Sequence, residues 1–271
     1  MRSSFFGLDI AVSGLFASQR ALYVTGHNIS NINTKGYSRQ VGVQSASNPI
    51  ALLNGTGMLG TGVEITSINR IRDSYLDYKY WSENASYGEW ETKNSTMEEL
   101  QGIFDEISGN GFTEVLNNFF SALEELSKDP SSLQAREVVR SSGVSFTKFL
   151  NSTAEQLYKL REDINYSIKI TVDKINLLVN QIRSLNQQIY KSELDGSNAN
   201  DLRDQRTVLV DELSKLIDID VNEVVVSKDA DGREEKRFQI IFNGAYLINH
   251  LDSYEIEYYE IDDSASVKDG M

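Results

Sequence analysis

The two histidines, His27 and His250, are the first candidates for chemistry, because histidine often serves as a general base or a metal ligand. His27 lies in a segment rich in Asn and Gly, and His250 follows a predicted strand. Neither lies near a Gly-x-Ser-x-Gly motif, and no His-Glu-x-x-His sequence occurs. The chain has no cysteine, which removes thiolate metal sites and disulfides. We therefore expect no catalytic residue, no metal site and no cofactor.

Two further motifs resemble ligand sites but lack an essential part. Asp229-Ala230-Asp231-Gly232 begins like a calcium loop, yet the Glu that such a loop requires is at the wrong spacing, so we interpret it as a hairpin turn. The glycine-rich run 55–62 is not followed by the Gly-Lys-Ser/Thr of a phosphate loop. Adjacent acids such as Glu98-Glu99 occupy ordinary polar positions, which indicates solvated surface.

The net charge narrows the class of protein. The chain carries 26 Lys and Arg against 40 Asp and Glu, a net charge of −14, which argues against nucleic-acid binding. Residues 1–72 hold six basic and two acidic residues, a charge of +4, which leaves −18 for the other 199 residues. This difference in charge predicts that residues 1–72 form a separate unit. No apolar run reaches the roughly 18 residues of a membrane span, and no secretory signal pattern is present.

The N-terminal residues 3–24 have the pattern of an amphipathic helix. Small and polar residues occupy one face, and the opposite face has heptad spacing, which requires a partner in this chain or in another. Residues 26–40 follow as a cluster of turns rich in Asn and Gly. The apolar heptad positions are Phe5, Leu8, Val12, Leu15 and Leu22.

The middle of the chain predicts long helices over 70–108, 112–128 and about 132–191. If Gly143 does not interrupt the third, its roughly 60 residues span about 90 Å, far beyond a compact globule. After a turn at 192–198, a further helix over 200–217 would pack antiparallel to it. The predicted core of this rod comprises Leu157, Leu160, Ile164, Ile175, Leu178, Ile182, Leu185, Leu202, Leu209 and Leu213.

The pattern changes after Asp218, where alternating apolar residues predict β-hairpins, and the alternation continues over 254–261. The predicted fold class is therefore mainly α: an elongated rod of long antiparallel helices with an N-terminal axial helix and a small C-terminal β segment. The predicted domains are 1–72, 73–218 and 219–271. The aromatic residues between Tyr75 and Trp90 keep no single helical face, which indicates partial core plus an exposed interaction surface.

Two motifs resemble those of a known family. The first comprises Gly14-Leu15, Ala17, Gln19, Ala21-Leu22, Asn28–Thr34 and Gly36–Gln40, and the second comprises Asn200–Arg206 with Leu209 and Glu212–Ser214. Together they resemble the flagellar rod, hook and hook-associated proteins, and the Gly-Tyr-Ser-Arg-Gln ending with the second motif is most similar to the hook-associated subgroup. With the helical middle, the resemblance covers about residues 1–220. Family members continue into more β structure and a C-terminal helix, which we expect this chain to lack.

The resemblance implies a structural protein of the hook–filament junction, extracellular and exported by the flagellar type III system. The implied partners are copies of itself, the hook protein, the second hook-associated protein and the export apparatus, with no nucleic acid and no membrane. The family's export chaperone recognises the C-terminal region, so its binding to this chain is left open. The implied assembly interface joins the heptad stripe to the turn cluster: Phe5, Leu8, Val12, Leu15, Leu22, Asn28, Asn31, Asn33, Gly36, Tyr37 and Arg39.

Two alternatives remain open from the sequence. A rod or hook subunit shares the first motif, although those chains turn to β structure soon after it. A flagellar surface protein could also carry an enzymatic insert beyond residue 271, but no catalytic motif supports this interpretation.

Overall fold

A computed structural model describes residues 5–52, 57–104, 111–228 and 234–259. Five helices lie within these ranges: α1 (Phe6–Ser30), α2 (Ser74–Phe104), α3 (Phe112–Lys128), α4 (Leu133–Glu193) and α5 (Asn200–Leu216). The strands are β1 (Gln40–Ala46), β2 (Ile50–Ala51), β3 (Met58–Leu59), β4 (Val63–Arg70), β5 (Asp220–Lys228), β6 (Glu234–Phe242), β7 (Ala245–Asn249) and β8 (Asp252–Ser253). The predicted fold class, mainly α with a small C-terminal β segment, is confirmed.

The longest helix, α4, runs unbroken for 61 residues, and Gly143 lies inside it. An added Cβ at Gly143 would lie 3.4 Å from the Phe119 ring, which is an ordinary van der Waals contact. Pro130 and the polar residues around it separate α3 from α4. Within the described ranges, no helix is both long and apolar enough to cross a bilayer.

Two predicted boundaries are wrong. The first helix does not end at residue 24 but continues to Ser30, since the Asn31 side chain donates to the carbonyl of His27 at 3.0 Å and closes the last turn. Residues 254–259 form no strand, because the backbone of Ile256 bonds to the side-chain amide of Asn176 on α4 instead. The predicted turn at 229–232 lies outside the described residues.

The chain divides into two compact units. Unit 1 comprises residues 1–86 and 175–256, and unit 2 comprises 87–174 and 257–271. Both α2 and α4 contribute residues to each unit. The three-part division at residues 72 and 218 stays a prediction.

The core of unit 1 lies between α4, α5 and an antiparallel sheet in the order β5-β6-β7-β8. Four of the core residues expected from the sequence are buried there, namely Ile175, Leu178, Ile182 and Leu213. Leu185, Leu202 and Leu209 are half-buried. Trp81 of α2 and residues of the sheet complete the cluster, with Val221, Phe238, Ile240, Leu247 and Ile248 from the strands.

Unit 2 contains the second part of α2, α3 and the first part of α4, and phenylalanine rings join α3 to α4. Phe119 stacks on Phe146 with a centroid distance of 5.8 Å, and Phe112 lies 6.1 Å from the same ring. Leu160 is buried, and Leu157 and Ile164 are half-buried.

We expect Ile182→Ala to lower the free energy of unfolding by about 3 kcal/mol, because it leaves a cavity at a fully buried position. Leu177→Ala, on the same helix but 58% exposed, is the matched control and should change it by less than about 0.5 kcal/mol. Urea denaturation of both variants measures the difference. Equal effects would show that the core does not centre on this face of α4.

Candidate functional site

The face of α1 that lies against its own chain mixes small residues with a few larger apolar ones. Ala17 is buried, and Phe6, Ile10 and Ser13 are half-buried. The hydroxyl of Ser13 accepts a hydrogen bond from the amide of Val63 at 3.3 Å, where β4 begins. This close approach requires glycine at position 62, which has φ +120° and where a Cβ would lie 2.0 Å from the Ser13 hydroxyl.

The opposite face of α1 carries most of its large apolar residues, and no other described part of the chain buries them. Leu15 is 66% exposed and Leu22 is 71% exposed. At 100° per residue, the exposed apolar side chains lie within an arc of about 140°. This outward stripe comprises Phe5, Leu8, Val12, Leu15, Phe16, Leu22, Tyr23 and Ile29. Most of the large apolar side chains of α1 therefore point away from its own chain, whereas ordinary amphipathic packing turns the large apolar face inward.

The segment after α1 is folded around the side-chain amide of Asn28. Its Nδ2 donates to the carbonyl of Gln40 at 2.8 Å, and its Oδ1 accepts from the Gln40 amide at 2.8 Å. The same Oδ1 accepts from the Tyr37 hydroxyl at 2.7 Å. A primary amide can donate and accept together, so the Asn28 side chain makes the two backbone hydrogen bonds that a neighbouring strand would make to Gln40. These bonds close the loop between α1 and β1.

This loop docks on the start of α5 through two aspartates. The carboxylate of Asp204 accepts from the Ser38 amide at 2.8 Å and from Arg70 at 2.8 Å. Asp201 accepts from the Gln40 side chain at 2.6 Å. The two sequence motifs, 28–40 and 200–206, therefore meet in space, a contact that the sequence reasoning missed. We call this set of hydrogen bonds, from Asn28, Ser38, Gln40, Arg70, Asp201 and Asp204, the Asn–Asp clasp.

A glycine is required where the loop crosses α5. Gly36 has φ +77°, and a Cβ there would lie 2.1 Å from a methyl group of Val208. Asn31 closes the last turn of α1. The side chains of Asn33 and Arg39 are exposed, and the carbonyl of Arg39 accepts from the amide of Ile71 at 2.8 Å. The structure therefore gives Asn28, Asn31, Gly36 and Tyr37 contacts inside the chain.

A cleft of about 470 Å³ opens beside the clasp. Its walls include the half-buried Val208 and Leu209, and His27 and Asp201 stand at its edge with Nε2 and Oδ1 3.2 Å apart. Burial, followed by the charges of Asp201 and Asp204, raises the pKa of Tyr37. In the part of the chain that the structure describes, no group of three or more His, Cys, Asp or Glu side chains is arranged to hold a metal ion.

A second polar cluster joins α4, α5 and the sheet. Arg203 binds both carboxylate oxygens of Glu193 at 2.7 Å and donates to Glu223 of β5 at 2.8 Å. Arg206 donates to Asn186 at 3.0 Å and lies 3.8 Å from the centroid of the Phe238 ring. Burial lowers the pKa of Arg206 to about 10. Burial opposes ionisation of Glu223, but the nearby charges of Arg203 and Arg206 outweigh it and lower the pKa of that carboxylate.

Residues of both sequence motifs lie within regions that match known protein families. The family model for the flagellar hook-associated protein FlgK helical domain matches residues 97–268, and the model for the flagella basal body rod protein matches 8–37. Flagellar hook-associated protein 1 of Bacillus subtilis (strain 168) is 37% identical over 227 residues, which cover 82% of this chain and 45% of that protein. Flagellar hook-associated protein 1 of Salmonella typhimurium is 30% identical over 218 residues, which cover 79% of this chain and 39% of that protein.

Among solved structures, the flagellar hook junction protein FlgK from Burkholderia pseudomallei aligns with 68% of this chain and 30% of its own, at 20% identity and a TM-score of 0.48. Both matching family models describe proteins of the bacterial flagellum. The chain belongs to the flagellar hook-associated protein 1 (FlgK) family. It spans less than half the length of the curated relatives it matches.

We expect Gly36→Ala to lower the free energy of unfolding by about 2 kcal/mol or more, because the new Cβ meets Val208 and the backbone is left-handed. The matched control is Gly26→Ala inside α1, where nothing lies within 4 Å and alanine should raise stability by about 0.5–1 kcal/mol. Urea denaturation gives both values. An unchanged free energy of unfolding in Gly36→Ala would contradict the close contact between the loop and α5.

The lowered pKa of Glu223 predicts a pH dependence of stability. Its ionised form stabilises the folded chain above the ordinary glutamate pKa of 4.5, and this stabilisation is lost as the pH falls through the lower folded value. Glu223→Gln should therefore reduce stability at neutral pH and flatten its decline under acid. Thermal unfolding as a function of pH tests this, with the exposed Glu162→Gln as control. Identical pH profiles for wild type and Glu223→Gln would refute it.

Proposed function

We propose that this protein is a structural component of the bacterial flagellum that self-assembles at the hook–filament junction and performs no catalysis. Its membership of the hook-associated family supports this role. The observation that carries the proposal is the outward stripe of α1, because an exposed apolar surface of this size marks a site where another helix, of this chain or of a neighbouring subunit, packs.

The size of the outward stripe agrees with a subunit interface. Eight large apolar side chains are exposed by roughly 900 Å² together, taking about 150–200 Å² for each residue and two thirds of it exposed. A stable interface buries about 800 Å² on each partner. Monomeric proteins rarely expose contiguous apolar patches beyond a few hundred Å². The stripe therefore supports packing of α1 against neighbouring subunits.

The proposed neighbours are copies of the same protein, the hook protein on one side and the second hook-associated protein on the other. We further propose delivery by the flagellar type III export apparatus to this extracellular position. The resemblance of the N-terminal motif supports these partners. The match over 97–268 favours the hook-associated role over a rod or hook subunit, since the rod-protein model matches only 8–37.

The experiment introduces Leu15→Glu into the chromosomal gene of the source bacterium. We expect at least a tenfold loss of the protein from isolated hook–basal bodies, because burying a Leu of this kind contributes about 1.5–3 kcal/mol and a charge there opposes packing. The side chain is 66% exposed in the free chain, so folding should be unchanged. Quantitative immunoblotting of hook–basal bodies and of the culture medium separates incorporation from export.

The matched control is Thr25→Glu, an exposed residue of the same helix that lies outside the arc of the stripe. It should be incorporated like the wild-type protein. Normal incorporation of Leu15→Glu would refute the role of the stripe, and equal losses in both variants would show that any added charge on α1 is harmful.

A further inference from the structure

The part of α2 that belongs to unit 2, from Tyr87 to Phe104, has an inward and an outward face. On the inward face Gly88 is buried, and Leu100 and Ile103 are half-buried. On the outward face Trp90 is 68% and Met97 is 64% exposed. Such large exposed residues on one helical face indicate a contact surface rather than solvated helix.

The outward residues follow a heptad. Trp90, Met97 and Phe104 are seven residues apart and occupy one of the two seam positions of a coiled coil, the d position. The other, the a position, holds Tyr87, Asn94 and Gln101. A polar amide at an a position is tolerated in two-stranded parallel coiled coils, where it pairs with its counterpart and fixes the register. We call these six residues the α2 seam.

The charges beside the α2 seam favour a second copy of the same helix as its partner. Lys93 precedes an a position and Glu98 follows a d position five residues later, and both side chains are exposed. In a parallel, in-register pair of helices, these two positions face each other across the seam. Two copies of α2 would therefore form two Lys93–Glu98 contacts, one on each side.

The contacts that these charges make in the single chain are weak competitors. Lys93 pairs with Glu89 one turn earlier and lies 5.2 Å from the centre of the Trp90 ring, and Asn94 donates to Glu98 at 2.7 Å. An exposed ion pair within a helix contributes only about 0.3–0.5 kcal/mol, and an exposed cation–π contact about 0.5–1 kcal/mol. Re-pairing across the seam therefore costs little.

We propose that the α2 seam binds the α2 seam of a second copy of this chain in a parallel, in-register pair. This self-association is separate from the contact made by the outward stripe of α1, and it does not depend on the proposed place in the flagellum. The four large residues expose roughly 450 Å² per copy, about half the area of a stable interface. The pair is therefore weak and forms at high protein concentration.

A cysteine cross-link tests the register directly, because the chain has no cysteine of its own. In purified full-length Asn94→Cys the two thiols would lie close enough for a disulfide. Ser95→Cys, the adjacent exposed residue about 100° around the helix, is the matched control. We expect oxidation to link Asn94→Cys into dimers at least about tenfold faster than Ser95→Cys. Equal rates would overturn the proposal.

Charge reversal tests the pairing across the seam. Adding Lys93→Glu to Asn94→Cys should slow cross-linking about tenfold, because two attractions become two repulsions. Adding Glu98→Lys as well should restore the rate, since the contacts are then reversed in sign. A slow rate in this double reversal would overturn the proposal, and far-ultraviolet circular dichroism verifies that each variant remains helical.

The outcome also separates this surface from the proposed function. Leu15→Glu should not alter cross-linking at Asn94→Cys, because α1 takes no part in the α2 seam. If Leu15→Glu prevents incorporation into hook–basal bodies while Asn94→Cys does not cross-link, the proposed function stands and the α2 seam is refuted. If cross-linking occurs but Leu15→Glu is incorporated normally, the α2 seam stands and the role of the outward stripe in the proposed function is refuted.

Discussion

The carboxylate of Asp204 is the interaction on which the arrangement of unit 1 depends. It is almost fully buried, and both of its oxygens are used, one by the Ser38 amide and one by Arg70. A buried carboxylate without such donors would be strongly destabilising, so the loop after α1 and the end of β4 are both held to α5. Asn28 then sets the path of the chain back into α1. The orientation of α1 therefore follows from polar contacts at its C-terminal end.

This arrangement explains how α1 can turn small residues inward. Ala17 and Ser13 bury little apolar area, and Phe6 and Ile10 are only half-buried, so the hydrophobic contribution to holding α1 is limited. The Asn–Asp clasp supplies directional contacts instead, and Gly36 and Gly62 permit the close approach that small residues require. Most of the large apolar residues of α1 are thereby left exposed on its outward face.

The sequence predicted the helices best where local signals were strong. Pro130 and the Gly196 turn separate periodic segments, so α3, α4 and α5 were found within a few residues. The end of α1 was missed because Asn28 is a helical residue whose amide serves a loop, and composition alone assigns Asn to turns. Residues 254–259 alternate like a strand, but Asn176 binds their backbone. The clasp joins residues more than 160 positions apart, and no local pattern reveals such a contact.

Charge determines which surfaces of the free chain can associate. A net charge of −14 makes copies repel one another, and the repulsion is strongest where acidic residues are exposed. The outward stripe of α1 carries no charged side chain within its arc, so this electrostatic repulsion is weakest there. In the proposed pair of α2 helices, Lys93 and Glu98 would face each other across the seam and offset part of this repulsion. Apolar area would supply the attraction at both proposed surfaces, and the surrounding charges would favour particular partners and registers.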